Sequence, residues 1–151
     1  MDRRLSEDAM PADSELERRL VQVARGARLR AHAPYSHFAV GAALLDEQGR
    51  VHAGANIENA AYPQGLCAEA SALAHLVMAG GQRVVAAVVV GEGAEPVTPC
   101  GGCRQKLREF AEGRLPIVVA DLRRVRGRYT LGELLPHSFG PDHLQGSGGG
   151  T

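Results

Sequence analysis

Cys67-Ala68-Glu69 and Pro99-Cys100-Gly101-Gly102-Cys103 together hold all three cysteines of the chain. Any fold that uses these thiols as a set must bring the two distant stretches to one point. Zinc favours tetrahedral nitrogen and sulfur ligation, and a catalytic zinc keeps one of its positions for water. Three thiolates and one water meet that description. Glu69, two residues from the first thiol, is placed to move protons rather than to bind the ion.

The rest of the chain sets the frame. A length of 151 residues predicts one domain with a single well-buried core, here over residues 14–144. Residues 1–13 read as a flexible arm and the glycine-rich 145–151 as a flexible tail. A hydrophobic fraction of 44% suits a globular protein, and no apolar run approaches the ~20 residues of a membrane span. The charged start of the chain lacks the apolar stretch of a signal peptide. The expected location is the cytoplasm, where thiols stay reduced and clustered cysteines point to metal or catalysis. A formal net charge of +0 and the absence of Trp argue against a broad basic, aromatic-lined nucleic-acid surface. A small-molecule substrate is expected, with neither nucleic acid nor membrane as partner.

Periodicity places the two cysteine stretches on helices. Ser14 and Glu17 have the spacing of a capping box, and a helix with apolar positions from Leu16 to Ala31 should end near His32, just before Pro34. Strands are expected over 39–45 and 50–55, joined by a hairpin at 46–49. A helix from about Cys67 to Ala79 ends at Gly80-Gly81. Val84 to Val90 reads as a strand buried on both faces. Thr98 suits a helix N-cap and Pro99 the first helical position, with the helix running to about Glu112. Strands over 115–120 and 126–130 and a helical turn over 131–135 follow. Strands interleaved with helices predict a layered α/β domain with a central sheet.

Two helix starts would then converge on the metal. Each brings partial positive charge and free amide donors that favour thiolate. Other readings of the residues stay open. A three-cysteine cluster also suits a structural zinc knot, if His137 or His143 closes the fourth position. Cys100-x-x-Cys103 alone suits a redox pair. His32, His37 and His52 read as surface or turn residues. Asn56 and Glu58 lie on a polar loop where such residues often only satisfy turns, and Phe38 beside a strand would by default be core.

The chain resembles the cytidine deaminases, specifically the small homotetrameric branch that acts on nucleosides. The resemblance is carried by Pro34-Tyr35-Ser36-His37-Phe38 with Val40 to Leu44, Asn56 to Ala60 with Tyr62, Cys67-Ala68-Glu69, Pro99 to Gln105, and Leu134-Leu135-Pro136 with Phe139-Gly140-Pro141. It implies a three-layer α/β/α fold with a five-stranded mixed sheet. It implies one zinc per subunit on Cys67, Cys100 and Cys103, with Glu69 as proton shuttle. It further implies that Asn56 and Glu58 bind the ribose hydroxyls and that Phe38 packs on the base. Backbone groups near Ala60 and Ala68 would read the pyrimidine edge, and Tyr62 and Phe139 would complete the sites of neighbouring subunits in a homotetramer.

The expected reaction is hydrolytic deamination of cytidine and deoxycytidine to uridine and deoxyuridine with release of ammonia, in pyrimidine salvage. The alternatives are the same chemistry on a modified cytidine or an aminonucleoside antibiotic, or a non-catalytic, zinc-stabilised binding module. Two departures stand out. Many members of the family carry Arg directly after Cys-Ala-Glu, whereas this chain has Ala70, so either the helix dipoles, Arg104, Gln105 or Ser71 offset the thiolate charge, or the water pKa and the activity optimum move upward. Ala55 stands where some members have Cys, a change expected to matter little.

Overall fold

The computed structural model describes residues 10–145. The elements are helix α1 (Glu15–Arg28), strands β1 (Val40–Asp46) and β2 (Val51–Ala55), helix α2 (Ala68–Met78), strand β3 (Val84–Gly91), helix α3 (Gly101–Phe110), strands β4 (Pro116–Ala120) and β5 (Val125–Thr130), and short helices α4 (Leu131–Leu134) and α5 (Pro141–Gln145). The strands form one sheet in the order β2-β1-β3-β4-β5. The β3–β4 pair is parallel and the other pairs are antiparallel, so the sheet is mixed, as expected.

β3 lies at the centre, and every one of its residues is buried. Branched side chains on both faces explain why its sequence shows no polar alternation. Val84 and Ala87 pack with Leu73 and Leu76 of α2 and Leu107 of α3, while Val88 and Val90 pack with Leu20, Val21 and Ala24 of α1. The sheet is thus covered by α1 on one face and by α2 and α3 on the other.

Two glycines set how closely the helices sit. A Cβ on Gly41 would lie 2.0 Å from the Ala24 carbonyl oxygen of α1. A Cβ on Gly54 would lie 2.3 Å from the Ala72 nitrogen and 2.4 Å from the Ala68 oxygen of α2. Both helices ride directly on backbone at these points, which only a residue without a side chain permits.

Several boundaries differ from the sequence reading. α1 ends at Arg28 because His32 leaves the helical path: its N–H donates to Asn56 O and its carbonyl accepts from Glu58 N. The capping box forms by half. Ser14 Oγ accepts from Glu17 N, but the buried Glu17 carboxylate takes Asp13 N–H and the Arg128 guanidinium instead of the Ser14 amide. A guanidinium fork satisfies a buried carboxylate better than one amide does. Met10 is buried against the α1 layer, so residues 10–13 of the expected arm are anchored. The remainder of that arm, 1–9, and residues 146–151 of the expected tail lie outside the described residues. His52 is no surface residue: it is buried, with Nε2 2.8 Å from the fully buried Asp46 carboxylate. Helix α5 begins at Pro141, a residue suited to a first helical turn, and sequence periodicity missed it because it is only five residues long.

Candidate metal and catalytic site

Cys67 is the N-cap of α2 and Cys100 the N-cap of α3, both with extended backbone torsions. The expected cap at Thr98 and Pro99 lies two residues too early. Thr98 Oγ1 instead accepts from Arg104 Nη2, and the same guanidinium donates to Pro99 O and Leu134 O. Neither cysteine cap spends its side chain on its own helix, so both sulfurs are free to face each other. Cys103, in the first turn of α3, is fully buried beneath them.

The three Sγ atoms lie within 4.8 Å of one another, and the Cys67–Cys100 pair is 3.8 Å apart. Tetrahedral zinc with Zn–S bonds of about 2.3 Å spaces its sulfurs by about 3.8 Å. The donor set and its spacing therefore fit zinc. The zinc-dependent reading passes a test that a redox pair would not require, since three sulfurs and not two converge.

Glu69 follows in the first turn of α2 and is 5% exposed. Burial raises its pKa, while a hydrogen bond donated by the Cys103 thiol and the charge of Lys106 act the other way. The Cys103 thiol is driven far up by burial, by the Glu69 charge and by that same bond. Burial and the neighbouring Cys100 also raise Cys67. Burial acts on Cys100 as well, but the Cys103 amide and the two neighbouring thiols outweigh it, and its pKa is lowered. Metal binding displaces thiol protons, so the ion-free cluster holds protons that zinc would release.

A cavity of 260 Å³ opens beside this cluster. It is lined by Phe38, Val40, Asn56, Cys67, Glu69 and Val97, among others. Ala68 lines it too, so four of the predicted substrate and catalytic residues, Phe38, Asn56, Ala68 and Glu69, share one space with two of the cysteines. The others do not. Glu58 and Tyr62 line a separate 370 Å³ hollow with Tyr35 and Ser36. Tyr62 is 75% exposed and stands edge-on to Tyr35 at 5.8 Å. Phe139 is exposed and stacks on His143 at 5.0 Å, with its carbonyl held by Gln105. Ala60 is exposed and lines neither space.

The polar loop residues are already engaged. Asn56 Oδ1 accepts from Val40 N at 2.9 Å and its Nδ2 donates to Phe38 O at 2.8 Å. Glu58 accepts from the amides of Tyr35 and Ser36 and from the Ser36 hydroxyl, which lowers its pKa, the hydroxyl bond foremost. Together they fix the segment 35–40 that carries Phe38 to the cavity mouth. Val97 and Thr98 of the β3–α3 connection escaped the sequence reading. Their position just before Pro99-Cys100 was the available signal.

Comparison with known proteins bears on this geometry. A family model described as "Cytidine and deoxycytidylate deaminase zinc-binding region" matches residues 14–119. The chain is 40% identical over 126 residues to a cytidine deaminase of Sporosarcina psychrophila, covering 83% of this chain and 93% of that one. It is 45% identical over 114 residues to a cytidine deaminase of Mycobacterium tuberculosis, covering 76% and 82%. Among solved structures, a cytidine deaminase from Burkholderia pseudomallei superposes with a TM-score of 0.77 at 40% identity, covering 81% of this chain and 98% of that one.

Proposed function

The chain belongs to the cytidine deaminase family, zinc-dependent hydrolases, and from that premise we propose that it converts both cytidine and deoxycytidine to the uracil nucleosides in pyrimidine salvage. The single observation that carries this reading is a buried carboxyl beside a three-sulfur cluster, both on a cavity small enough for one nucleoside.

Zinc on Cys67, Cys100 and Cys103 would supply the Lewis acidity that brings the pKa of a water near neutrality. Glu69 does the proton work. Its carboxylate accepts a proton from the water and delivers it to the ring nitrogen next to C4, then takes the second proton from the oxygen now bonded to C4 and passes it to the departing amine. A C4–O bond forms, the C4–N bond breaks, ammonia leaves, and Glu69 ends in the state in which it began. A carboxyl whose pKa is lifted by burial is suited to both halves of that task. Phe38 packs on the base, and groups near Ala60 and Ala68 read its edge.

Asn56 and Glu58 bind the ribose hydroxyls in this reading. The Asn56 amide keeps a second N–H beyond the one given to Phe38, and carboxylate oxygens accept more than one bond. Tyr62 and Phe139 meet a neighbouring subunit's site in a cytoplasmic homotetramer. Their exposure supports this, as do Val77 and the 85%-exposed Met78 on the outer side of α2, apolar surface of a kind that marks association. No helix among the described residues is long and apolar enough to cross a membrane.

The test follows cytidine and deoxycytidine absorbance in wild type and Glu69→Gln, with metal content measured in both. Conversion by wild type alone, with zinc in both proteins, is expected. Zinc in both and conversion by neither would end the nucleoside reading.

A further inference from the structure

The sequence holds sixteen arginines and a single lysine, Lys106. It lies on α3, the helix that begins at Cys100 and carries Cys103. Side chains on a helix lean toward its N-terminus, and Lys106 does so. Its Nζ lies 3.7 Å from the point where a Cβ on Gly102 would sit. The ammonium is thereby folded over the turn between the two α3 cysteines, and its charge reaches the buried Glu69.

The neighbouring arginines are committed elsewhere. Arg104 donates to Pro99 O, Leu134 O and Thr98 Oγ1, and Arg108 to Ser138, Ala111 O and Asp142. Among the described residues Lys106 forms no ion pair. A compact ammonium on a flexible stem acts as a point charge, without the fork geometry of a guanidinium.

The cluster needs such a charge. Three thiolates around one divalent ion leave the site with a net charge of about minus one. Glu69 adds to that surplus whenever it is ionised. The two helix starts offset part of it with partial charges of about half a unit each.

We propose that Lys106 is the charge-compensating residue of the sulfur centre, holding its ammonium over the Gly102 turn so that the net-negative, metal-loaded site is stabilised. Lys106 is a positioning residue: it touches neither substrate nor metal and acts through the cluster. The inference rests on the reading that the triad holds zinc.

The test measures zinc loss to a competing chelator from the purified full chain, for wild type, Lys106→Met, Lys106→Arg and Lys106→Glu, at low and high salt. Thermal melts confirm that each is folded. Lys106→Met is expected to weaken zinc retention about fivefold at low salt, the upper end of what an exposed charge pair contributes. Lys106→Glu should weaken it further, Lys106→Arg should restore it, and high salt should compress all four toward one value. Equal retention across the four proteins at low salt overturns the role of Lys106 while leaving the zinc centre standing. A wild type that binds no zinc overturns both.

Discussion

The two walls of the site are made differently. The sulfur and carboxyl wall stands on the first turns of α2 and α3, and those helices lie against the fully buried central strand. The wall proposed for the nucleoside stands on the segment before β1 and the loop after β2, where the Asn56 and Glu58 side chains hold backbone groups of residues 35–40. The first wall is assembled from two helix starts of one chain. The other is a local network of loop residues, with the largely exposed Tyr62 beside it. The thiols and the carboxyl stand on the packed part of the molecule, and the residues proposed for recognition stand on the loops.

Substitutions sharpen that contrast, beginning with the packed wall. Glu69→Gln should lower kcat by about 10²- to 10⁴-fold, the usual worth of a positioned proton carrier, with zinc content unchanged. A loss of zinc instead would mean that Glu69 serves the metal. Asn56→Ala should raise KM about tenfold or more and lower the melting temperature, because the Val40 amide and the Phe38 carbonyl each lose a partner at a cost of about 1–3 kcal/mol. A change confined to kcat would erase the division between the walls. Glu58→Gln keeps the shape and removes the charge. A KM increase of about fivefold is expected from the lost charge-assisted bonds to Tyr35 and Ser36, read from initial rates on both nucleosides.

The smallest effect is on stability and appears in metal-free protein. The Glu69 pKa is raised on folding by burial, so the folded state holds its proton where the unfolded state has released it. The stability this gives is complete below the ordinary carboxyl range and is lost as pH rises through the elevated folded value. Denaturant titrations should therefore find metal-free Glu69→Gln gaining on metal-free wild type as pH rises from 4 to 8. Parallel curves would mean that Glu69 is solvated and not buried.

The metal half was legible in the sequence because thiols and carboxyls carry their chemistry in their identity. Residue type, spacing and the family resemblance together set Cys67, Glu69, Cys100 and Cys103 apart, and Cys67 and Cys100 proved to be caps of the helices they begin. The cap at Thr98 was misplaced because Thr98 and Cys100 both suit extended torsions, and the Thr98 hydroxyl is taken by the Arg104 side chain six residues on. The nucleoside half was less legible. Asn56 and Glu58 are polar loop residues whose partners, Val40, Phe38, Tyr35 and Ser36, lie 16 to 23 positions away, a distance no local pattern reports. Burial of His52 depends in the same way on a carboxylate across the hairpin.

Gly54 touches neither metal nor ligand, yet it sets where the reactive wall stands. The α2 backbone rests against it at Ala68 and Ala72, and Ala68 is the residue between Cys67 and Glu69. One added methyl there would jack the helix off the strand and tilt both functional side chains away from α3 together. The alignment of sulfur with sulfur is thus gauged from the strand beneath the helix, by a hydrogen atom where a carbon would have been.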